Sequence, residues 1–312
     1  MVDPFYKPWA TSPTWSWLTL RRSLIITAVL HAIAVGLWLT LRFTLDDRVL
    51  KLPVTWDRYE FNITLANNTI PYTNPPEIAT NDIATGVLQV DELWRTEIYI
   101  YAVLFSSISF IAQLYAYLRF NEDFLPNVRR GVNPIQWIEY SFSASLMMVA
   151  ISHVSGIFQF KYLIVVFFLT AAVMTYGAVM ETTNPLEGNK FMYRDVMWWP
   201  YIVGFFLFFA PWVIVFIHIA QEDDVPTFVY GVVASQLFMF LTFPLNQFLH
   251  YRLWYVRHYG RSFAERRKYA NLSYARSVSI NHVLSFTAKF VLPAWIFFGS
   301  LRDFGPVVQC AP

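Results

Sequence analysis

The sequence has almost no cysteine: Cys310, close to its end, is the only one in 312 residues. The chain can therefore form no internal disulfide and no thiolate metal cluster, and it has no candidate cysteine nucleophile. It also lacks a His-Glu-x-x-His zinc motif, a Gly-x-Ser-x-Gly elbow and a pair of aspartates within its apolar segments. We expect no bound metal and no enzymatic activity.

Charged residues are scarce as well, at 14% of the chain against roughly a quarter in soluble domains. Hydrophobic residues make up 56% and aromatic residues 19%. This composition excludes an ordinary soluble domain and predicts an integral membrane protein surrounded by lipid. The formal net charge of +2 gives no reason to expect a nucleic-acid partner.

Long apolar segments are abundant, and seven of them are long enough to span a bilayer as helices. They predict an all-α, seven-transmembrane helix bundle that forms a single domain over residues 1–312, with antiparallel neighbours because most connections are short. The predicted helices are 24–43, 98–118, 135–157, 162–180, 199–220, 227–249 and 277–301.

Positive charge is distributed unevenly between the two sides of this bundle. Of the 23 Lys and Arg residues, fifteen fall on the side of the N-terminus and seven on the other, with Lys289 inside a helix. The positive-inside rule predicts a multi-pass protein with a cytoplasmic N-terminus and an extracellular or lumenal C-terminus. A G-protein-coupled receptor would have the opposite orientation.

The long connection 44–97 is acidic, which agrees with an outside position, and it contains glycosylation sequons at Asn62 and Asn67. Segments Leu52–Thr55 and Arg58–Leu65 favour β-structure, while the proline-rich stretch 71–76 breaks any further strand. The pattern predicts a short β-hairpin between helices 1 and 2.

Lys289 is a cation at the centre of the last apolar segment. Twelve residues on either side place its amine roughly 18 Å from each end, deeper than the ~15 Å half-thickness of a bilayer core. Such a lysine must pair with an anion, lose its proton or be covalently modified.

Glu139 is the only carboxylate in the body of a predicted helix, and an ion pair with Lys289 would remove the desolvation cost of both groups. The pair could be purely structural. However, Ser285 lies one turn before Lys289, and aromatic and hydroxyl residues surround Glu139, a lining that suits a polyene ligand. A lysine in apolar surroundings also forms Schiff bases with aldehydes, and a carboxylate can stabilise the protonated product.

The run from Asn133 to Met147, NPIQWIEYSFSASLM, closely resembles the third helix of heliorhodopsins, and Leu284–Lys289, LSFTAK, resembles their retinal-binding seventh helix. The likeness covers nearly the whole chain apart from 44–97. It implies an inverted-topology microbial retinal protein with all-trans retinal as cofactor, and a homodimer.

Carried over position by position, the resemblance makes Lys289 the Schiff-base lysine and Glu139 its counterion, with Ser285 in place of a second carboxylate. The family's second-helix histidine falls on Gln113, so one titratable proton acceptor is missing. Further pocket positions implied by the resemblance are Tyr140, Pro211, Trp212, Phe240 and Gln247. A polar network or proton path is implied for His31, Ser109, Gln113, Asn133 and Ser143.

Two functions remain open at this level. The first is a light sensor that signals to an unknown cytoplasmic partner, and the second is a light-gated ion or proton channel or transporter that uses the same chromophore.

Trp212 and Phe240 could be simple packing residues, and Pro211 could serve only to kink its helix. We expect Glu181, near the end of the fourth helix, to be an interfacial carboxylate rather than a proton relay.

Overall fold

A bundle of seven long helices makes up most of the protein, as predicted. In the computed structural model, the described residues are 13–44, 50–65, 68–71, 83–185, 196–222, 225–258 and 263–303, so Cys310 and Asn67 lie outside them. The helices are α1 (Pro13–Thr44), α2 (Ile98–Leu118), the short α3 (Leu125–Arg130), α4 (Pro134–Val154), α5 (Phe160–Thr183), α6 (Trp199–Gln221), α7 (Thr227–His258) and α8 (Phe263–Asp303).

Six of the long helices are long and apolar enough to cross a membrane. The remaining one is α4, which is less apolar because it contains Glu139, His153 and four serines. Large apolar side chains such as Ile33, Phe206 and Phe298 are exposed on the outside of the bundle, where lipid would cover them. The protein is therefore an integral, multi-pass membrane protein.

The helices neighbour one another in the order α6, α5, α4, α2, α1, α8 and α7. Helices α2 and α4 both also contact α8. The arrangement therefore brings Lys289 of α8 towards the helices that carry Ser109 and Glu139.

The predicted hairpin is present, but it is longer than expected and forms from different segments. One strand, β1 (Lys51–Leu65), includes both predicted β-prone segments and pairs antiparallel with β3 (Ile83–Glu97). A short strand, β2 (Asn68–Pro71), pairs with the other edge of β1, giving the order β2-β1-β3. The proline-rich stretch therefore ends β2, while the chain forms a further strand after it.

The sheet is fixed to one end of the bundle. The backbone N–H of Thr55 donates to the carbonyl of Phe158 at 2.8 Å, and His153 of α4 lies with Nε2 2.9 Å from the Pro53 carbonyl. The ammonium group of Lys161 pairs with Asp57 at 2.9 Å. This end carries the C-terminus of α4, about four turns from Glu139.

Helices α7 and α8 both extend beyond the predicted spans. The predicted segment 277–301 is part of α8, which has 41 residues. The reason is that the basic stretch before residue 277 continues the helix, whereas a hydropathy window detects only its apolar part.

Candidate functional site at Lys289

Lys289 and Glu139 form an ion pair in the middle of the bundle, between Nζ and Oε1. The side chains are 3% and 4% exposed, so neither charge has access to bulk water. In such surroundings each ion needs the other, because an isolated buried charge is strongly disfavoured. The structure therefore brings together two residues that are 150 positions apart in the chain.

Three serine hydroxyls complete this polar centre. The Lys289 ammonium donates to Ser109 Oγ at 2.5 Å and to Ser285 Oγ at 2.8 Å. The hydroxyls of Ser109 and Ser143 donate to Glu139 Oε1 at 2.5 and 3.1 Å. Ser285 and Ser143 reach these groups because each is one helical turn from its charged partner. All three hydroxyls are buried.

Tyr140 forms an aromatic wall beside the amine, with its ring centroid 5.3 Å from Lys289 Nζ. This distance permits a cation–π interaction. Its hydroxyl donates to the carbonyl of Asn281 at 3.0 Å, and its ring contacts Phe243 edge to face at 5.5 Å. These contacts hold the ring in place against the charged centre.

A mainly apolar cavity, part of it open to the outside, has Lys289 in its wall. It runs between α4, α5, α6, α7 and α8. Its wall includes two glycines, and a Cβ on Gly177 would overlap the Trp137 ring. Predicted site residues in the lining are Tyr140, Ser143, Phe240, Gln247, Ser285 and Lys289.

This cavity fits the retinal that the sequence implies. Its wall includes a primary amine, an anion pairs with that amine, and the rest of the lining is aromatic and aliphatic with few polar groups. Lys289 would hold the aldehyde carbon, and Tyr140 and Phe240 would flank the polyene.

Pro211 and Trp212 were predicted to belong to the ligand pocket, but they do not line the cavity. Both are buried in α6, but neither is among the cavity-lining residues. Trp212 instead packs edge to face on Phe240, with ring centroids 5.8 Å apart. Phe240 thus separates it from the cavity, an ordering of side chains that helix periodicity does not determine.

His31 and Gln113 are buried near the polar centre, yet they do not join its hydrogen bonds. Neither ring nitrogen of His31 and neither amide atom of Gln113 has a hydrogen-bond partner among the described residues. His31 instead contacts the Phe286 ring edge to face at 5.3 Å. Of the predicted polar network, Ser109 and Ser143 therefore contact the ion pair directly, whereas His31 and Gln113 do not.

Asn133 belongs to a second polar cluster around Glu181. Its side chain accepts a hydrogen bond from Gln136 N and caps α4, and its backbone N–H donates to Glu181 Oε2 at 2.9 Å. Glu181, expected to be an interfacial carboxylate, does lie two residues from the end of α5, but the protein buries it, and it is only 5% exposed. Helices α4, α7 and α8 cover it, and it lines the same cavity as Lys289.

Gln236 was not identified from the sequence. It is fully buried on α7, and its amide lies 3.4 Å from the carbonyl of Ala288, the residue before Lys289. In the sequence, Gln236 is a lone amide side chain within an apolar segment. Many such side chains serve only packing, so nothing marked this one as part of the site.

Within the described ranges, no group of three or more His, Cys, Asp or Glu side chains could hold a metal ion. The polar centre consists of one lysine, one carboxylate and hydroxyls. These groups can therefore stabilise a positive charge on the Lys289 nitrogen.

Comparisons with known proteins add a family and a distant structural similarity. A family model described as heliorhodopsin matches residues 20–301. No curated protein matches the chain. Among solved structures, the chain is similar to the crystal structure of a light-driven proton pump, LR (Mac), from Leptosphaeria maculans, with a TM-score of 0.44 and 11% identity, over 91% of this chain and 96% of that one.

Proposed function

Because the chain belongs to the heliorhodopsin family, we propose that it is a light sensor in which Lys289 binds all-trans retinal and Glu139 is the counterion. Membership of this family supports a retinal-type, light-responsive membrane protein. The single observation that supports the finer proposal is the buried ion pair between Glu139 and Lys289, which lines an apolar cavity.

When bound to Lys289 as a protonated Schiff base, retinal supplies visible absorption and a light-driven change of shape. The protein's own groups determine where the positive charge and its proton reside. Glu139 stabilises the charge at Lys289 Nζ, and the hydroxyls of Ser109 and Ser285 fix the direction of the N–H bond. A carboxylate held this close in apolar surroundings strongly favours the protonated nitrogen.

The structural change at Lys289 then reaches the rest of the protein through the helices that contact this site. Ser109, Glu139 and Lys289 lie on α2, α4 and α8, so a displaced proton at Nζ changes hydrogen bonds to three helices at once. We propose that the basic segments on the side of the N-terminus, which the charge distribution predicts to be cytoplasmic, transmit this change to a signalling partner. We also propose a homodimer, following the family.

A second candidate function is light-gated ion or proton transport. The observation that favours it is the length of the cavity, which continues from Lys289 to the buried Glu181. Photocurrent recording in a voltage-clamped membrane separates the two functions: current during illumination indicates conduction, and its absence supports the sensor.

The family is not, in general, one of classical enzymes, and we propose no catalytic turnover.

The experiment that tests the proposal is reconstitution of the purified protein with all-trans retinal. We expect a visible absorption band that Lys289→Ala abolishes. Lys161→Ala, the same change at a lysine outside the cavity, serves as the matched control and should retain the band. An unchanged visible band in Lys289→Ala would overturn the proposal.

A further inference from the structure

Glu181 and Lys289 line the same cavity, and Glu181 lies two residues from the end of α5. We infer that Glu181 is the proton-exchanging group of this cavity at its cytoplasmic end, returning a proton to Lys289 Nζ after light has removed one. This inference rests on the proposed function, because it requires a chromophore on Lys289.

The electrostatic surroundings of the two buried glutamates differ. Glu139 has Lys289 as its cation, whereas Glu181 forms no ion pair among the described side chains. An ionised carboxylate without a cation is costly in a membrane interior, so burial favours the neutral acid at Glu181. It therefore holds a proton that it can give up.

Nearby hydrogen-bond donors nevertheless stabilise the ionised form of Glu181. The backbone N–H of Asn133 donates to Oε2, and the Trp137 indole and Tyr274 hydroxyl lie beside the carboxyl group. Trp137 Nε1 and Tyr274 OH make no hydrogen bond among the described residues, so both remain available to the carboxyl group. One bound donor and two more beside the carboxyl group lower the cost of its anion, so both protonation states are accessible.

The remaining titratable groups that face Glu181 are Tyr251 and His250 on α7 and Tyr274 on α8. His250 already bonds Ser273 through Nδ1 at 3.1 Å. The tyrosines are poor proton donors near neutral pH. Glu181 is thus the group at this end of the cavity whose chemistry suits proton exchange.

The cavity supplies the path between the two ends. Asn133, which contacts Glu181, and Glu139, which contacts Lys289, are six residues apart on α4, a rise of about 9 Å. Tyr140, Ser277 and Asn281 line the space between and offer polar atoms along it. His31 does not line the cavity, although it lies near Lys289.

Each proton in this cycle has a donor and an acceptor. Lys289 Nζ first loses its proton to Glu139. The O–H bond of Glu181 then breaks as an N–H bond forms at Nζ, and the Glu181 carboxylate takes up a proton from the cytoplasmic side, where α5 ends at Thr183. The net change over these steps is one proton taken from the cytoplasm and one added to Glu139. Glu139 has to release that proton before the next flash to restore the ion pair with Lys289, and release to the cytoplasmic or to the opposite side distinguishes the sensor from the transport function.

Glutamine and aspartate substitutions separate this role from a structural one. Glu181→Gln keeps an oxygen that can accept from Asn133 N but cannot exchange a proton, while Glu181→Asp keeps the acid. In flash photolysis of retinal-reconstituted protein, we expect proton return to Nζ to slow by about 10²-fold in Glu181→Gln, with much of the rate kept in Glu181→Asp.

An unchanged return rate in Glu181→Gln would overturn the inference. It would also be overturned if Nζ of the unmodified protein never loses its proton after a flash, a result that leaves retinal binding at Lys289 and the counterion role of Glu139 intact. Loss of the visible band in Lys289→Ala tests that proposal separately.

A second measurement needs neither light nor retinal. Infrared spectra of the retinal-free protein should contain the carbonyl stretch of a protonated carboxylic acid that disappears in Glu181→Gln. The exposed Glu222 provides the matched control, since Glu222→Gln should leave that band unchanged. Identical bands in the unmodified protein and Glu181→Gln at neutral pH would contradict a resting neutral acid.

Discussion

Ser109 Oγ lies 2.5 Å from Lys289 Nζ, although the two residues are 180 positions apart in the chain. The same hydroxyl donates to Glu139 Oε1. Ser109 therefore bridges the two charges and ties α2 to the contact between α4 and α8. Substitutions at and around this contact have measurable consequences.

The first consequence concerns the counterion. Glu139→Gln removes the anion that stabilises positive charge at Lys289 Nζ in the dark state, so we expect a red-shifted visible band and loss of the nitrogen's proton at a lower pH. A spectrophotometric pH titration of the reconstituted protein measures both. Glu222→Gln, the same substitution at an exposed glutamate outside the cavity, should not shift the band. A blue shift in Glu139→Gln would reject it as the principal counterion.

The second consequence concerns the bridging hydroxyl. Ser109→Ala leaves charged groups short of a hydrogen-bond partner, so it should lower the free energy of unfolding by about 1–3 kcal/mol and shift the visible band. Ser106 is equally buried one turn away, and its hydroxyl has no partner among the described residues. Ser106→Ala should therefore be nearly neutral. Equal effects of the two substitutions, measured by absorption and thermal unfolding, would argue against the bridge.

The third consequence concerns the cavity wall. A Cβ on Gly177 would overlap the Trp137 ring, so Gly177→Ala forces either the ring or α5 to move. We expect a loss of about 1–3 kcal/mol in stability and slower uptake of retinal, followed by growth of the visible band. A Cβ on Gly36 would meet no atom within 4 Å, and Gly36→Ala should not slow uptake. Normal uptake in both variants would show that this wall does not shape the site.

The fourth consequence concerns the attachment of the sheet. His153 contacts the Pro53 carbonyl through Nε2 and the Tyr101 hydroxyl through Nδ1, at 2.9 and 3.2 Å. His153→Phe keeps a ring but removes both bonds, at about 1 kcal/mol each, whereas Tyr101→Phe removes only the second. We expect a larger fall in unfolding temperature and faster proteolysis within 51–97 for His153→Phe. The visible band should stay in place in both variants.

Much of this architecture could be predicted because a membrane restricts the structures that an apolar segment can adopt. Apolar segments of spanning length must become helices, and two lone opposite charges within them must pair. That reasoning predicted Lys289 beside Glu139, and the structure places them in contact. The family, identified from the third and seventh helices, is confirmed by the match over residues 20–301.

The incorrect and incomplete predictions share a different cause. Glu181 lies two residues from the end of α5, so its position along the chain suggested an interface, but burial depends on how α4 and α8 pack around that end. Strand β3 was missed because its pairing with β1 spans a long connection and leaves no local signature. The place of Trp212 behind Phe240 depends on side-chain packing between two helices.

The most direct test of the central claim is to locate the covalent bond. Retinal-reconstituted protein would be treated in the light with a hydride reductant, which converts the Schiff base to a stable amine, then digested and analysed by peptide mass spectrometry. The account predicts the retinyl mass on the peptide that contains Lys289 and on no other lysine. Retinyl modification at a different lysine, with Lys289 unmodified, would contradict it.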